Sequence, residues 1–156
     1  MIDFKVKKKM IIREFSERDI DEITSLMKDL CKLNDQEFDE ERWRLSIEEK
    51  LKKESNSELI VALDEETSSV LGMAHCSVRN SELGFRFGYI SNLIVREEKR
   101  RIGIGEEILR HIIDYLKNNN INSIRLALKP NAENVAKLLF IKLGFQNILQ
   151  IYELKI

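Results

Sequence analysis

A basic turn followed by two glycines is the part of this sequence best suited to chemistry. Arg100 and Arg101 precede Ile102-Gly103-Ile104-Gly105, and a helix is predicted to begin there. Glycine lets a backbone approach a ligand closely, and the first N–H groups of a helix lack internal partners and carry partial positive charge. Residues 101–106 are therefore predicted to bind an anion such as phosphate, although a purely structural turn into a helix also needs glycine.

Two common phosphate-binding motifs do not fit these residues. A nucleotide-binding P-loop is excluded because no Gly-Lys-Ser/Thr follows the turn. A dinucleotide-binding turn is disfavoured because it would place a glycine or alanine three residues after Gly105, where Ile108 stands. The anion site predicted here is therefore of another type.

Other reactive side chains are few. The sequence contains two histidines, His75 and His111, and two cysteines, Cys31 and Cys76. Neither a multi-histidine metal centre, a clustered zinc site nor a disulfide scaffold is expected from this set. Both cysteines are predicted to be reduced and buried, and no metal cofactor is expected. His75 could contact an acceptor substrate, although a structural role is the simpler interpretation.

Length and charge define the broad class of the chain. Its 156 residues suit one domain over residues 1–156, with a basic extension over residues 1–9. The 26 Lys and Arg residues against 27 Asp and Glu give a net charge of -1, so neither a nucleic-acid nor a membrane partner is expected. Because no secretory signal and no long apolar run is present, we expect a cytoplasmic protein.

Hydrophobic periodicity predicts alternating strands and helices. Strands are predicted over residues 10–15, 58–63, 70–79, 85–95, 123–128 and 150–156. Helices are predicted over residues 19–33, 39–54 and 132–143, and directly after the glycine turn. The order β-α-α-β-β-β-α-β-α-β indicates a mixed α/β fold with a hairpin-rich first half and a crossover-connected second half.

The strand predicted over residues 85–95 contains a change of register. Its apolar phase passes from Phe85, Phe87 and Tyr89 to Ile90, Leu93 and Val95. A β-bulge produces such a slip, and bulges are frequent beside active sites. A strand buried on both faces explains the pattern equally well, so both interpretations remain open on periodicity alone.

Two motifs together resemble the GCN5-related N-acetyltransferase (GNAT) family. Arg100-x-x-Gly103-x-Gly105 matches the family signature Gln/Arg-x-x-Gly-x-Gly/Ala, and the segment from Asn134 to Phe145 is similar to the family's Asn-x-x-Ala-x-x-Leu-Tyr-x-Lys-x-Gly-Phe. The element order is similar over residues 10–156. This resemblance implies a mostly antiparallel mixed sheet with a splayed, bulged strand, flanked by helices, and transfer of acetyl from acetyl-CoA to an amine.

The resemblance also implies where acetyl-CoA binds. Pantetheine would lie between the strands at 85–95 and 123–128 and pair with the backbone of Leu93, Ile94 and Val95. The pyrophosphate would lie on Arg100, Arg101, Ile102, Gly103, Ile104, Gly105 and Glu106. Asn134 would reach the pantetheine, and Phe140 would lie beside the sulfur. Asn134 is one residue later than the family spacing, where Glu133 stands.

The proton acceptor expected from the resemblance is not at its usual position. Many relatives carry a glutamate or aspartate on the bulged strand, where this chain has Ser91 and Asn92. Neither is a base at neutral pH, while an alkyl amine with a pKa near ~10.4 must lose a proton before it attacks. Ser91 and Asn92 could hold a water that passes the proton on. Otherwise the base is Glu37, Asp35 or another carboxylate of the helical region.

The proton donor expected from the resemblance is also missing. Many relatives protonate the leaving thiolate with a tyrosine at the position of Phe140, and a phenyl ring donates no proton. Tyr152 is a candidate substitute, and Tyr89 is a second. A thiol pKa near ~8.5 still makes thiolate a tolerable leaving group without this help.

These residues favour an N-acetyltransferase that uses acetyl-CoA and acts on a primary amine of a small molecule or a peptide. The alternative is a non-catalytic module that binds acetyl-CoA or CoA as a sensor or regulator. The sequence does not identify the acceptor. An exposed edge at the predicted terminal strand would allow a homodimer.

Overall fold

Five strands and four helices are found in residues 10–128 and 134–156, the parts of the chain that the computed structural model describes. The basic extension predicted over residues 1–9 lies outside the described residues. The strands are β1 (Met10–Glu14), β2 (Ser57–Asp64), β3 (Val70–Asn80), β4 (Arg86–Val95) and β5 (Ile124–Leu126). The helices are α1 (Ile20–Leu33), α2 (Glu40–Leu51), α3 (Ile104–Asn118) and α4 (Asn134–Lys142).

The strands form one open sheet in the order β1-β2-β3-β4-β5. The first four strands pair antiparallel: β1 reaches β2 through α1 and α2, whereas β2, β3 and β4 are joined by hairpins. Strand β5 pairs parallel to β4 after the α3 crossover. A parallel neighbour requires such a crossover connection, which α3 supplies. The predicted fold class, a mixed and mostly antiparallel α/β sheet flanked by helices, is confirmed.

Helices α1 and α2 cover one face of the sheet. Alternate residues of β2, such as Leu59 and Val61, point to this face and pack with Ile23 of α1 and Ile47 of α2. The Nε1 of Trp43 in α2 donates a hydrogen bond to the Thr24 hydroxyl of α1 and so joins the two helices. This layer lies above β3 and β4 and can form a pocket over them.

Helix α3 covers the opposite face with α4 beside it. Its buried stripe, Ile104, Ile108, Leu109, Ile112 and Leu116, packs on Ile60 and Ala62 of β2 and Ile90 of β4. Because β2 to β4 are covered on both faces, their apolar residues need not alternate strictly with polar ones. The core therefore consists of two layers with the sheet between them.

The register change in β4 is a bulge, as one of the two sequence interpretations predicted. Met73 pairs with Ile94 and His75 pairs with Ser91, so two steps along β3 correspond to three along β4. Asn92 lies in this extra step and has a φ of 53°. Asparagine is among the few non-glycine residues that adopt this left-handed conformation readily. Asparagine at position 92 therefore suits the backbone conformation that the bulge requires.

The far end of β4 is fixed by an arginine. The Nε of Arg96 donates to the backbone oxygen of Val70, and its guanidinium pairs with Glu22 of α1. The same carboxylate accepts a hydrogen bond from the backbone N–H of Val70. These contacts tie α1, β3 and the end of β4 together and hold the segment after the bulge in place.

The terminal strand predicted over residues 150–156 is wrong. These residues form no strand and pair with none of the described strands, and Ile151 and Leu154 are exposed. Apolar alternation favours a strand, but a strand also needs an edge of the sheet to pair with, and the chain does not bring this segment onto β5. Strand β5 is also shorter than the predicted 123–128, since its pairing with β4 ends at Leu126.

The remaining predicted elements differ only at their ends. Helix α2 ends at Leu51 rather than at residue 54, and the first residues of the helix predicted over 132–143 lie outside the described residues. Within the described ranges, every helix is too short or too polar to cross a bilayer.

Candidate active site

The centre of the candidate site is the bulge of β4 and the residue opposite to it on β3. The Nδ2 of Asn92 donates a hydrogen bond of 3.1 Å to Nδ1 of His75 as the groups are assigned. With Nδ1 accepting, the proton of the neutral imidazole is on Nε2. The two side chains therefore hold each other, and they form one polar floor on the α1–α2 side of the sheet.

His75 is kept neutral by its surroundings. Burial lowers its pKa to about 4, and the positive charge of Lys50 contributes to the shift. Its ring meets Trp43 edge-on with 6.1 Å between the ring centroids. His75 is therefore an uncharged hydrogen-bonding group at pH 7, and its low pKa makes it a weak base.

A cavity of about 430 Å³ lies above this floor. Phe38, Asp39 and Trp43 contribute to its walls, and His75 and Asn92 contribute to its base. A concave site with aromatic walls and a few convergent polar groups is typical of a small-molecule or side-chain pocket. We call this cavity the α1–α2 pocket.

Asp39 is the carboxylate among the residues that line the α1–α2 pocket. One of its oxygens, Oδ1, caps α2 by accepting the backbone N–H of Arg42 at 3.0 Å. Glu37 and Asp35, the two carboxylates named from the sequence, are not among the lining residues; Asp39 is one of the other carboxylates of the helical region that the sequence left open. An acidic residue just before a helical pattern is interpreted as a helix cap. No pattern in the sequence indicates that the same residue also lines a pocket.

Toward β5, the pairing of β4 stops partway along the strand, and we call the side of β4 beyond that point the cleft. Pairing between β4 and β5 runs from Gly88 with Ile124 to Ile90 with Leu126 and then stops. Beyond Ile90, β4 has no partner strand on that side within the described residues. Backbone groups of Leu93, Ile94 and Val95 therefore border a gap, while the Ile94 side chain is buried beneath α1 and α2. The splaying of the two strands that the family resemblance implies stays a prediction beyond this last pair.

The glycine turn opens next to this gap. Gly103 has a φ of 90°, so the turn itself needs glycine there. Gly105 has no such requirement, and a Cβ built on it would meet only the Val95 side chain, at an ordinary 3.7 Å. A Cβ on Gly103 would meet nothing within 4 Å. Neither glycine is needed for packing, so the pair leaves open space before the first N–H groups of α3.

The charged side chains of the turn have separate tasks. The Nε of Arg100 donates to the backbone oxygen of Val95, which secures the turn against β4. Glu106 pairs with Lys142 of α4, and this contact lowers the pKa of its carboxyl. Arg101 and Ile102 are exposed at the tip. Glu106 therefore links α3 to α4 through its side chain, and only its backbone belongs to the predicted anion site.

Helix α4 carries Phe140, the aromatic residue that the family resemblance would place beside the sulfur. Phe140 packs against the α3 side of the core, and its ring lies 6.0 Å from that of Phe145. Asn134 begins α4, but its side chain lies outside the part of the chain that is described. Its predicted contact with a cofactor therefore stays a prediction.

The three predicted catalytic residues are not brought together. Ser91 stands opposite His75 in the sheet and Asn92 bonds to that histidine. Tyr152 is exposed in the C-terminal segment, and its hydroxyl donates to Gln150. Tyr89, the other tyrosine considered, packs under the Arg79 guanidinium at 3.9 Å from its ring centroid. The site therefore contains the two strand residues without a tyrosine hydroxyl placed beside them.

Neither the cysteines nor the second cavity takes a chemical part in the candidate site. Burial raises the pKa of the Cys76 thiol to about 11, so it stays protonated. Cys31 is only half-buried and lines the α1–α2 pocket, which corrects its predicted full burial. A second cavity of about 220 Å³ lies between β2 and α3, beside Glu58 and Tyr115, and does not include the bulge. Within the described residues, no group of metal-ligating side chains is found.

Comparisons with known proteins agree with this geometry. A family model described as the acetyltransferase (GNAT) family matches residues 21–145. A search of curated protein sequences gave no match. Among solved structures, a predicted acetyltransferase with acetyl-CoA from Clostridium acetobutylicum is 22% identical with a TM-score of 0.71, covering 94% of this chain and 96% of its own.

Two further solved structures share the fold. A transcriptional regulator from Bacillus halodurans C-125 is 20% identical with a TM-score of 0.78, covering 95% of this chain and 100% of its own. A glucosamine-6-phosphate N-acetyltransferase from Arabidopsis thaliana is 15% identical with a TM-score of 0.73, covering 94% of this chain and 98% of its own. At these identities the likeness establishes the fold.

Proposed function

Since the chain belongs to the GNAT acetyltransferase family, we propose that it transfers the acetyl group of acetyl-CoA to a primary amine held in the α1–α2 pocket. The observation that carries this proposal is the position of the bulge. At Asn92, β4 faces the pocket on one side of the sheet, and just beyond it β4 borders the open cleft toward β5. Acceptor and donor could therefore meet at one point of one strand.

The residues around the cleft suit acetyl-CoA. Acetyl-CoA supplies an acetyl group activated as a thioester. The backbone of Leu93, Ile94 and Val95 on the β5 side, where the described residues supply no partner strand, would bind its amide-bearing arm, as an added strand binds to a sheet edge. The open space at Gly103 and Gly105 would admit the pyrophosphate to the N-terminus of α3. Backbone N–H groups of β4 would hydrogen-bond the acetyl oxygen and stabilise the negative charge that develops there.

We place the proton acceptor at Asp39. It is a pocket-lining carboxylate whose Oδ1 is used for the helix cap, which leaves Oδ2 for the substrate ammonium or for a water between them. The neutral His75 and Asn92 would orient the amine by hydrogen bonds. A proton lost to a carboxylate or its water leaves the amine free to attack the thioester carbonyl. Phe38 and Trp43 would contact the apolar part of the acceptor.

The leaving group needs little help in this proposal. Phe140 would offer a ring and no hydroxyl to the leaving thiolate, and Tyr152 lies exposed in the C-terminal segment. A thiolate with a pKa near ~8.5 leaves without an obligatory proton donor, at a cost on the order of 10²-fold in rate. Protonation by solvent would follow.

The test is acetyl transfer to a panel of acceptors, measured by release of free CoA and by the mass of the product. The panel contains primary amines, peptides with a free N-terminus or lysine, and matched alcohols and thiols. Acetylated amines with unchanged alcohols and thiols would support the proposal. Turnover confined to an alcohol or a thiol would contradict N-acetylation while leaving acetyl transfer intact.

The role of Asp39 has a matched pair of variants. Asparagine caps a helix as well as aspartate does, so Asp39→Asn keeps α2 intact while it removes the base. We expect kcat to fall about 10²-fold with little change in stability, because general-base catalysis contributes about that much. The control variant Glu37→Gln, two residues earlier in the same loop, should leave kcat unchanged. Equal activity of Asp39→Asn and wild type would move the base elsewhere.

A non-catalytic acetyl-CoA-binding module is the second candidate. It is favoured by the residues at the bulge, because Ser91, Asn92 and a histidine with a pKa of about 4 offer no strong base. Tight acetyl-CoA binding without transfer to any acceptor of the panel would favour this function.

A further inference from the structure

A buried cation lies beside the α1–α2 pocket. Lys50, in the last turn of α2, is only 6% exposed, although a lysine is almost never fully buried unless it is paired. Among the described residues, no carboxylate lies within ion-pair distance of its Nζ, and the adjacent Glu49 is exposed. Burying a charge without an ion pair is costly. The position of Lys50 therefore needs an explanation.

The ammonium of Lys50 is directed back along α2 toward the pocket. Its Nζ donates a hydrogen bond of 2.8 Å to Oγ of Ser46, one turn earlier, and Ser46 lines the pocket. The carbonyl groups at the end of α2, which attract cations through the helix dipole, lie in the opposite direction. Burial lowers the pKa of His75, and the charge of Lys50 adds to this shift, so the charge acts on the base of the pocket. A role at the C-terminus of α2 therefore does not account for Lys50.

Ser46 can extend the effect of this charge to a ligand. An ammonium group donates three hydrogen bonds, of which Ser46 takes one. Because the serine oxygen accepts from Lys50, its own O–H is available to donate into the pocket. Hydrogen bonds that involve a charged group are the stronger ones, and bonds in a chain polarise each other. The pocket wall at Ser46 is therefore complementary to an anion.

A second cation lies on the same side of α2. Arg42, four residues before Ser46, also lines the pocket. Residues four apart on a helix are neighbours at about 6 Å, so Arg42, Ser46 and Lys50 form a row, which we call the α2 row. Within the described ranges, the Arg42 guanidinium makes no ion pair. Its planar donors match the oxygens of a carboxylate or a phosphate. The α2 row therefore combines two cations and a hydroxyl without a protein anion to bind them.

The pocket also contains the opposite charge. Asp39 lines it as a carboxylate, and His75 at its base is neutral. A carboxylate and a row of cations together match a molecule that carries both an ammonium and an anion. From Asp39 to Ser46, α2 rises by about 10 Å, which is the length of a small molecule. The cavity of about 430 Å³ has room for such a molecule.

We propose that the acceptor is a small primary amine that also carries a carboxylate or a phosphate, and that the α2 row binds this anion. This inference rests on the proposed acetyl transfer in the same pocket and narrows the class of its acceptor. The reaction is unchanged: the amine nitrogen bonds to the acetyl carbon, the carbon–sulfur bond breaks with its electron pair going to sulfur, and the amine proton passes to Asp39 or its water. The bound anion orients the amine for this attack.

The first test compares acceptors that differ only in the anion. The pairs are γ-aminobutyrate with butylamine, β-alanine with propylamine, and phosphoethanolamine with ethanolamine, which also separate a carboxylate from a phosphate. We expect kcat/KM to be about 100-fold higher for the anionic member of the preferred pair, because hydrogen bonds to a charged group contribute on this scale. Equal or higher kcat/KM for the neutral member of every pair would overturn this inference and leave the proposed function intact.

The second test removes the buried charge. Lys50→Met keeps an unbranched apolar side chain and breaks no ion pair, so we expect the fold to remain stable. The preference for the anionic acceptor over its neutral partner should fall about 10- to 100-fold, mainly through KM. Lys52→Met, at an exposed position just after α2, is the control and should keep the preference. A preference that survives Lys50→Met in full would contradict the role of the α2 row.

Arg42 has a matched pair of variants. Arg42→Gln should lower the same preference about 10-fold, because the guanidinium is replaced by a neutral amide. Arg44→Gln removes an exposed arginine that is not among the pocket-lining residues and should have no effect on the preference. Equal losses in Arg42→Gln and Arg44→Gln would show a general effect of surface charge and would remove Arg42 from the anion site.

The third test needs no turnover and so separates this inference from the proposed function. Calorimetry measures the binding of γ-aminobutyrate and phosphoethanolamine, with and without CoA. Binding to wild type that is about 10-fold weaker in Lys50→Met and unchanged in Lys52→Met would support the anion site even if no amine were acetylated, in which case the proposed function alone would fail. Absence of binding by both compounds would overturn the anion site even if neutral amines were acetylated.

Discussion

The two halves of β4 differ in how many neighbours they have. From Gly88 to Ile90, the strand pairs with β3 on one side and β5 on the other, and a Cβ added at Gly88 would lie 2.6 Å from the Leu116 side chain. After the bulge at Asn92, the strand keeps β3 but loses β5. The first half is therefore fixed on all sides, whereas the second half exposes backbone to a cleft.

This difference shows how one strand can both stabilise the fold and bind a ligand. Paired backbone groups in the first half have no capacity left for another molecule. The second half is held instead by Arg96 and by the buried Ile94 side chain, so it stays ordered although one edge is free.

His75, which lies opposite the bulge between the two halves of β4, should make the stability of the fold depend on pH. The unfolded chain protonates a histidine near pH 6.5, whereas folded His75 stays neutral down to about pH 4. The unfolded state thus binds more protons in this window, and stability is lost as the pH falls from about 6.5 to about 4, by about 3 kcal/mol.

Urea unfolding at pH 7.5 and pH 4.5 measures this loss. His75→Gln should lose about 2.5 kcal/mol less than wild type between these two pH values. His111→Gln, at an exposed position, should behave as wild type. Equal losses in wild type and His75→Gln would show that His75 titrates in the folded protein as it does in the unfolded one.

A charged side chain in the glycine turn should weaken acetyl-CoA binding beside the second half of β4. Gly105→Glu adds a carboxylate at the predicted pyrophosphate position without a left-handed φ or a packing clash. Calorimetry with acetyl-CoA should show affinity lower by about 100-fold, or about 2.7 kcal/mol. Gly105→Ala is the control, since alanine favours the helix and adds no charge. An unchanged affinity in Gly105→Glu would remove the cofactor from this turn.

A substitution in the first half of β4, which pairs with both β3 and β5, should lower stability without changing acetyl-CoA binding. Gly88→Ala forces the buried Leu116 to move, and overpacking of this kind costs about 1–3 kcal/mol. Chemical unfolding should show this loss, while the affinity of the folded protein for acetyl-CoA stays unchanged. A variant of wild-type stability with weakened binding would mean that the two halves are not separate.

The contacts of Arg96, which hold the second half of β4 in place, should contribute less to the free energy of unfolding. Arg96→Met removes the hydrogen bond to the Val70 oxygen and the pair with Glu22, both at part-exposed positions. We expect a loss of about 1 kcal/mol by chemical unfolding and a modest rise in the acetyl-CoA dissociation constant. Glu98→Gln, which touches only the outer side of this arginine, is the control and should have little effect.

Much of the fold could be predicted because local patterns determine it. Periodicity located α1, α3 and the two hairpins, and it showed a register change between Ile90 and Leu93 for which a bulge was one of two interpretations. The glycine turn was placed at a helix start by residue type alone. These features depend on neighbours close in sequence, which a single sequence displays.

Other features depend on distant contacts and were not predictable. The strand over 150–156 was wrong because alternation cannot show whether an edge is available. The place of Asp39 on the pocket wall depends on how α1 and α2 lie over β3 and β4, and the bond between His75 and Asn92 depends on the register at the bulge. Such contacts follow from tertiary packing and leave no spacing in the sequence.

The most direct test of the central claim is thermal unfolding of the wild-type chain with and without acetyl-CoA. A ligand at about 100 times its dissociation constant adds ~2.7 kcal/mol. For a chain of this size, the midpoint should rise by about 5–11 °C. This rise would support acetyl-CoA binding at the cleft beside β4. A folded chain whose midpoint does not change with saturating acetyl-CoA would contradict it.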